Sequence, residues 1–187
     1  MEGCRGVCSE FCSSKGSCLI KDDFAEFQRL WLEADGIIYG TPVYHMGPPA
    51  QIKCAIDRLG NVLFASLKKE MPRFLKPCGV IVQGSSRWGG QEITAQFFVA
   101  HSLLMNCLPV TGDMPMSYIG VLGYAPTWES DSILSDEAAL CASENLGVRV
   151  AEVVKIITLG REACSSELPD VYWLERMRAR LGESETR

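Results

Sequence analysis

The sequence predicts a doubly wound α/β domain, in which helices cover both faces of a parallel sheet. Two short apolar runs, GIIYG at residues 36–40 and CGVIVQ at residues 78–83, are typical of strands buried on both faces. Each run is followed by a loop rich in glycine or proline, and then by apolar residues at helical spacing. The same order begins a third time with LPVTGD at residues 108–113.

Helix start signals and apolar periodicity place the helices around these strands. The predicted helices begin at Asp22 or Asp23, at Ala50, at Gln91, after Ser135 as the N-cap, and at Leu168. The helix after Ser135 is expected to end near Leu159. Residues 114–131 are rich in Gly, Pro and Tyr, which predicts an ordered functional loop or an interface arm.

Composition bounds the class of protein. The 187 residues, 47% hydrophobic and 22% charged, predict one soluble domain, with a cysteine loop at 1–20, a core at 21–160 and a C-terminal helix and tail at 161–187. Apolar stretches are too short to cross a membrane. A net charge of −5 without a basic cluster argues against nucleic acid as a partner. Nine cysteines without a secretory signal predict a cytoplasmic location.

Four of these cysteines fall within the first eighteen residues, namely Cys4, Cys8, Cys12 and Cys18. On a helix, positions 4, 8 and 12 would share one face but spread over about 12 Å, so a common metal centre requires a coiled loop. Three interpretations follow from the residues. Four thiolates match an iron–sulfur cluster, zinc fits the spacing less well, and the thiols could also be unliganded or redox-active.

Ligands of doubly wound sheets bind beyond the carboxyl ends of the strands, which directs attention to residues 41–49 (TPVYHMGPP) and 84–90 (GSSRWGG). Pro42 fixes the backbone direction. Tyr44 offers a flat face for a planar heterocycle, although the same pattern also suits a purely structural turn. The glycines before Gln91 let backbone amides approach an anionic or carbonyl ligand.

The stretch CLIKDDFAEFQRLWLEADGIIYGTPVYHMGPPAQIKCAIDRLG, with GSSRWGGQEITAQFF and LPVTGD after it, resembles the flavodoxin-like NAD(P)H-dependent FMN reductases. The resemblance is strongest to their iron–sulfur flavoprotein branch. It extends from Cys4 to Asp113 and, more weakly, to Leu159. It implies a flavodoxin-like fold, FMN as cofactor, a [4Fe–4S] cluster on Cys4, Cys8, Cys12 and Cys18, and a homodimer or homotetramer.

The resemblance also implies which residues hold FMN. The first loop would cradle the isoalloxazine ring and the second would meet its polar edge. The implied residues are Thr41, Pro42, Val43, Tyr44, His45, Gly47, Gly84, Ser85, Gly89, Gly90 and Gln91. No side chain is expected to act as a catalytic acid or base, since the cofactor supplies the chemistry.

Two departures from the family pattern are visible. Family members carry a strand, a phosphate loop, a helix and a second strand before the cysteine loop, whereas here Cys4 follows Met1 almost directly. This predicts an N-terminally shortened version with an exposed strand edge. The gaps between the four cysteines are three, three and five residues, whereas the iron–sulfur branch has two residues between its first three cysteines.

The predicted function is an FMN-dependent oxidoreductase that takes electrons from NAD(P)H or a ferredoxin-type donor and passes them to a small-molecule or protein acceptor. Two alternatives remain open, a non-catalytic electron-carrier subunit and a cofactor-free remnant of the family.

Other residues receive structural interpretations. His101 is expected to be structural, and Trp88 to cover the flavin or fill an interface. Helix-surface pairing and subunit contacts are expected of Lys53, Asp57 and Arg58. Small buried hydrophobes are expected at Cys54, Cys78, Cys107 and Cys141.

Overall fold

The structure is a computed structural model and describes residues 1–127, 129 and 131–183. In chain order its elements are a π-helical turn at Cys8–Cys12, α1 (Ser13–Lys15), α2 (Phe24–Glu33), β1 (Ile37–Pro42), α3 (Ala50–Ser66), β2 (Pro77–Gly84), α4 (Gln91–Leu104), β3 (Leu108–Pro109), β4 (Val121–Tyr124), a 3₁₀ turn at Ser132–Ser135, α5 (Glu137–Ala163), a 3₁₀ turn at Asp170–Tyr172, and α6 (Leu174–Glu183).

The chain forms two compact units. Unit 1 comprises Met1–Ala34, Ala50–Leu75 and Cys164–Arg187. Unit 2 comprises Asp35–Pro49 and Lys76–Ala163. The sheet therefore belongs to unit 2 and the cysteine loop to unit 1, while the organisation of 1–187 as a single domain stays a prediction.

All strand pairs in unit 2 are parallel, and β2 is the central strand. β1 pairs with one side of β2, with Ile37 opposite Cys78. Both β3 and β4 pair with the other side, β3 near the start of β2 and β4 near its end. Because the strands are parallel, β1, β2 and β4 end at the same edge of the sheet, where the two predicted ligand loops begin.

Helix α5 packs on one face of this sheet. Its apolar side forms a core cluster with β4, made of Val121, Ala139, Ala142, Leu146 and Val150. Gly79 in β2 permits this contact, because a Cβ there would lie 2.9 Å from Cδ1 of Leu146.

Helix α4 covers the opposite face. The ring of Tyr39 stacks on Phe98 with centroids 5.0 Å apart, and His101 meets the same tyrosine edge-on at 5.7 Å. His101 is buried there, as expected of a structural residue. Helices on both faces of a parallel sheet confirm the predicted doubly wound class.

Three details of the strands differ from the prediction. The third strand covers only Leu108–Pro109, and β4 lies within residues 114–131, which the sequence predicts as a loop. β1 is not buried on both faces, because Tyr39 and Thr41 are buried whereas Ile38 remains 43% exposed. Within the described part of the chain β1 is also an edge strand, in agreement with the exposed strand edge that the sequence predicts.

β3 and β4 occupy the same position beside β2, and the chain leaves the sheet between them. Ser117 Oγ donates to the carbonyl of Gly120 at 2.9 Å and lies 2.5 Å from Thr111 Oγ1, which closes the excursion. Gly120 has φ +134°, and a Cβ there would lie 2.8 Å from the carbonyl oxygen of Val80. Glycine is therefore required where the chain rejoins β2.

Helix ends also differ in part. The N-cap of α5 is Asp136 rather than Ser135, since Asp136 Oδ1 accepts from the amide of Ala139 at 3.1 Å and Oδ2 from the amide of Tyr124 at 2.9 Å. The carboxylate satisfies two amides at once and ties α5 to β4. Among the described residues, no helix has the length and apolar character that crossing a membrane requires.

Candidate functional site

The loop after β1 is a tight backbone turn. Val43 N–H donates to the carbonyl of Gln83 at 2.8 Å, and Tyr44 and Gly47 exchange two backbone hydrogen bonds of 2.9 and 3.1 Å. His45 and Met46 between them have φ of 49° and 68°, in the left-handed region. Two consecutive side-chain-bearing residues in this region make a strained turn that projects from the end of the sheet.

The loop after β2 folds around the side chain of Gln91. Its Oε1 accepts from the amide of Gly89 at 3.0 Å, while its Nε2 donates to the carbonyls of Ser86 at 2.5 Å and Gly123 at 3.4 Å. A Cβ at Gly84 would lie 2.5 Å from Nε2. The amide of Gln91 is thus engaged in holding the loop, which makes it a positioning residue of the predicted site.

The two loops touch at Gly90 and Met46. Gly90 has φ +103°, and a Cβ there would lie 2.9 Å from Cα of Met46 and 3.1 Å from its carbonyl oxygen. Only glycine allows this backbone approach. The structure therefore brings together the two segments that the sequence analysis selected separately.

Flat and apolar side chains surround this junction and face solvent. Tyr44 is 62% exposed, Trp88 86% and Met46 51%. Arg87 extends over the ring of Tyr124 at the end of β4, 4.8 Å from its centroid. Thr41, in contrast, is buried and its hydroxyl donates to the carbonyl of Pro42 at 3.0 Å. The exposed groups suit stacking on a planar molecule, whereas Thr41 supports the turn.

Of the other residues that the resemblance implies for FMN, His45, Ser85 and Pro42 are exposed, and Gly47, Gly89 and Val43 are half-buried. The close backbone approach at Gly90 and the exposed aromatic side chains beside it have the chemistry that stacking on a flat heterocycle requires. The start of α4 at Gln91 adds a positive helix end beside that junction.

The cysteine loop in unit 1 gathers three of its four cysteines at one pocket. Cys4, Cys12 and Cys18 line a small pocket of about 10 Å³ together with apolar side chains and Arg58. The side chain of Cys8 lies outside the described part of the structure. Contrary to the coiled loop that the sequence analysis required, the backbone from Cys8 to Lys15 is helical.

Nitrogen donors from α3 reach two of these sulfur atoms. Arg58 Nε lies 3.3 Å from Cys18 Sγ, and Asn61 Nδ2 lies 3.6 Å from Cys4 Sγ. Among the described side chains, no three Cys, His, Asp or Glu residues are grouped closely enough to hold a metal ion. Cysteine thiolates are the ligands that an iron–sulfur cluster requires, so the residues of the loop fit such a cluster chemically. The described sulfur atoms, however, do not surround a common centre.

Arg58 is buried, which corrects the expectation that it pairs on the helix surface. Its Nη1 and Nη2 each lie 2.8 Å from one carboxylate oxygen of Asp22. The neighbouring Lys53 and Asp57 do form the expected surface pair, with Nζ 2.5 Å from Oδ1. A visible signal was available, because position 58 falls on the same helical stripe as the buried Ala55, Leu59 and Val62.

Asp22 and Arg58 are both held in their charged forms. The side-chain hydrogen bonds from Arg58, and then the backbone amides of Glu2 and Phe24, hold the pKa of Asp22 well below its usual range. The same pairing raises the pKa of Arg58. The bidentate pair is thus a fixed charged contact beside the cysteine pocket.

The remaining cysteines divide into two groups. Cys78 and Cys107 are buried, as predicted. The hydrogen bond from Cys107 to Cys78, together with burial, raises the pKa of Cys107, which keeps it a thiol. Cys54 is half-buried and Cys141 is exposed, so the expectation of burial is wrong for these two, because they lie off the apolar stripes of their helices.

Comparisons with known proteins agree on one family. The family model described as NADPH-dependent FMN reductase matches residues 4–118. An iron-sulfur flavoprotein of Methanocaldococcus jannaschii is 37% identical over 151 residues, which is 78% of this chain and 72% of that protein. An iron-sulfur flavoprotein of Archaeoglobus fulgidus is 31% identical over 150 residues, covering 78% and 73%.

A solved structure shares the fold. The Trp repressor binding protein from Bacillus subtilis superposes with a TM-score of 0.53 at 24% identity, over 68% of this chain and 73% of that one. This likeness concerns the fold alone.

Proposed function

Because the chain belongs to the NADPH-dependent FMN reductase family, in its iron–sulfur flavoprotein branch, and is a flavin-dependent oxidoreductase with a flavodoxin-like fold, we propose that it moves electrons from NAD(P)H or a reduced ferredoxin-type carrier to a small-molecule or protein acceptor. FMN in unit 2 and an iron–sulfur cluster on Cys4, Cys8, Cys12 and Cys18 in unit 1 would be the redox groups. A cytoplasmic location and a homodimer or homotetramer belong to the same proposal.

The junction of the two loops at Gly90 and Met46 is the observation that carries the FMN part. It joins the ends of β1 and β2, where doubly wound sheets bind their ligands, and places Tyr44 and Trp88 beside a close backbone approach. The flavin ring would lie against these exposed faces. Residues 41–47 and 84–91 would then enclose it as the resemblance implies.

The protein contributes position, stacking and electrostatics. FMN, when bound by these residues, would supply the two-electron and one-electron redox chemistry. Tyr44 would hold the ring by stacking. Gln91 would hold the second loop in a shape that the ring can approach, because its side-chain amide donates to the carbonyls of Ser86 and Gly123. The N-terminus of α4 would favour negative charge at the polar edge of the ring.

The loop thiols would supply the ligands of the second redox group. Cys4, Cys12 and Cys18 face one pocket that also receives N–H groups from α3. Thiolates are the usual ligands of such clusters, and N–H donors stabilise their charge.

The test is anaerobic reconstitution with FMN, ferrous iron and sulfide, followed by the visible spectrum, iron content and turnover with NADPH or reduced ferredoxin. We expect flavin bands, about four iron atoms per chain as a [4Fe–4S] cluster requires, and oxidation of at least one donor when an acceptor is added. Protein that takes up no flavin contradicts the proposal, and a loaded protein without turnover with any donor supports the electron-carrier alternative instead.

Tyr44→Ala tests the placement of FMN. We expect the affinity for FMN to fall about fivefold, since an aromatic stack contributes about 1 kcal/mol. Tyr118→Ala is the matched control, because Tyr118 is equally exposed in the same unit but lies outside both loops. Equal affinities of the two variants, measured by fluorescence titration, would place the flavin elsewhere.

A further inference from the structure

Arg58 uses every N–H group of its guanidinium on the cysteine loop. Nε donates to Cys18 Sγ at 3.3 Å, Nη1 to Asp22 Oδ2 at 2.8 Å and to the carbonyl of Glu2 at 3.2 Å, and Nη2 to Asp22 Oδ1 at 2.8 Å and to the carbonyl of Ile20 at 3.2 Å. A guanidinium has five N–H groups, so none is left over. The set is specific to arginine, since an ammonium has three donors at one point.

The groups that Arg58 binds stand at both ends of the loop. Glu2 precedes the first cysteine of the loop. Cys18 is the last cysteine, and Ile20 and Asp22 follow it. The amide of Glu2 also donates to Asp22 Oδ2 at 3.0 Å, which joins the two ends directly. A single side chain from α3 therefore closes the loop that carries all four predicted ligands.

A second donor stands one helical turn further along α3. Asn61 Nδ2 lies 3.6 Å from Cys4 Sγ. Residues three apart on a helix share a face, so α3 presents two N–H groups to the first and the last of the loop cysteines. Arg58 is fixed in this position by Asp22 and by the ring of Phe24, whose centroid lies 4.2 Å from Cζ.

We propose that Arg58 and Asn61 are positioning residues of the cysteine site, which hold Cys18 and Cys4 for metal binding and raise the reduction potential of the iron–sulfur centre. The second part rests on the proposed function, because it requires a cluster. N–H donors to cysteine sulfur stabilise the additional negative charge of a reduced cluster, and the potential of such centres depends on these bonds.

The first experiment uses the cluster-free, reduced protein and therefore does not depend on the cluster. Alkylation of individual cysteines by iodoacetamide is followed by peptide mass spectrometry. We expect Arg58→Met to accelerate the alkylation of Cys12 and Cys18 at least tenfold, because Cys12 is buried in the closed loop and Cys18 Sγ accepts from Arg58. Arg58→Lys should give a partial increase, since lysine cannot bind both loop ends.

Arg149→Lys is the matched control, since Arg149 forms an exposed pair with Asp113 in unit 2, whereas the cysteine loop belongs to unit 1. We expect its alkylation rates to equal those of the wild type. Rates in Arg58→Lys and Arg58→Met that also equal the wild type would overturn the anchoring role. Comparison of the two Arg58 variants covers the case in which Arg58→Met fails to fold.

The second experiment uses Asn61→Leu, which removes one N–H donor and leaves Arg58 in place. After reconstitution, an EPR-monitored redox titration should show a more negative potential than the wild type at unchanged iron content. An unchanged potential at full iron content would overturn the tuning role. Wild-type protein that binds FMN but no iron would refute the cluster and the tuning role together, while the alkylation result would still decide the anchoring role.

Discussion

The cysteine loop and the two loops after β1 and β2 are shaped by different forces. In unit 1, one charged side chain binds both ends of a twenty-residue segment, and its partners are 36 to 56 positions away in sequence. In unit 2, the turn at Tyr44–Gly47 is closed by backbone hydrogen bonds, and Gly90 allows the backbones to touch. The first arrangement depends on charge and the second on backbone conformation.

This difference indicates which changes each region tolerates. The closure of this loop depends mainly on one buried guanidinium, because Arg58 contributes five of the hydrogen bonds that hold its two ends. Loops shaped by backbone turns fail when a glycine acquires a side chain, whereas most exposed side chains on them can be exchanged. Substitutions in the two regions therefore test separately how much stability comes from the charged side chain and how much from the backbone conformation.

The largest effect is expected from Arg58→Met. The free energy of unfolding should fall by about 3 kcal/mol, because the substitution removes five hydrogen bonds of the buried Arg58, two of them to the half-buried carboxylate of Asp22. Urea denaturation measures the change. Arg149→Lys should stay within about 0.5 kcal/mol of the wild type, and a loss below about 1 kcal/mol for Arg58→Met would show that other contacts close the loop.

Gly90→Ala should destabilise the junction of the two loops in unit 2. The free energy of unfolding should fall by about 2 kcal/mol, since the new Cβ meets the backbone of Met46 and the φ of +103° is unfavourable for alanine. Gly147→Ala is the control, because nothing lies within 4 Å of its Cβ position on α5. That variant should gain about 0.5 kcal/mol, and thermal unfolding distinguishes the two.

Gln91→Leu tests the loop that folds around an amide. Removal of three hydrogen bonds, partly offset by solvent, should cost about 1.5 kcal/mol and loosen residues 84–90. Gln96→Leu on the exposed side of α4 should be nearly neutral. Faster hydrogen exchange of the Gly89 amide in Gln91→Leu alone would confirm the assignment, and equal exchange in both variants would contradict it.

The smallest effect concerns pH. The pKa of Asp22 is lowered by its bonds from Arg58, so its stabilising contribution is complete above the ordinary value of about 3.9 and is lost as the pH falls towards the lowered value. The stability difference between wild type and Asp22→Asn should be constant from pH 7 to about pH 4 and shrink below it. A difference that persists unchanged at pH 2.5 would show that the carboxylate charge contributes nothing.

Local patterns in the sequence predict most of unit 2 and none of the cysteine-loop anchor. Periodicity and glycine boundaries locate β1, β2 and α4 to within a few residues, because those signals are local. β4 has only four residues, VLGY, and is a strand because it pairs with β2. No local sequence pattern predicts this pairing. For Arg58, the helical stripe that it shares with Ala55 and Leu59 indicates burial, but no local pattern identifies its partners, because they are distant in sequence.

The junction of the two loops and the role of Gln91 lie between these extremes. The glycines at 84, 89 and 90 indicate an unusual backbone, but only the structure identifies the atoms that approach them. In the same way, Asp136 and Ser135 are equally good caps by composition. The structure favours Asp136 as the cap, because its carboxylate also accepts a hydrogen bond from the backbone amide of Tyr124.

The interruption between β3 and β4, which lie on the same side of β2, affects where this chain can accept inserted residues. β3 and β4 are each aligned by β2 alone, so the short turn at residues 114–116 determines the register of neither. Residues inserted at that turn would extend an exposed protrusion without shifting any strand. This is the position at which a peptide tag or a spectroscopic label can be inserted between two strands of the sheet without altering their alignment.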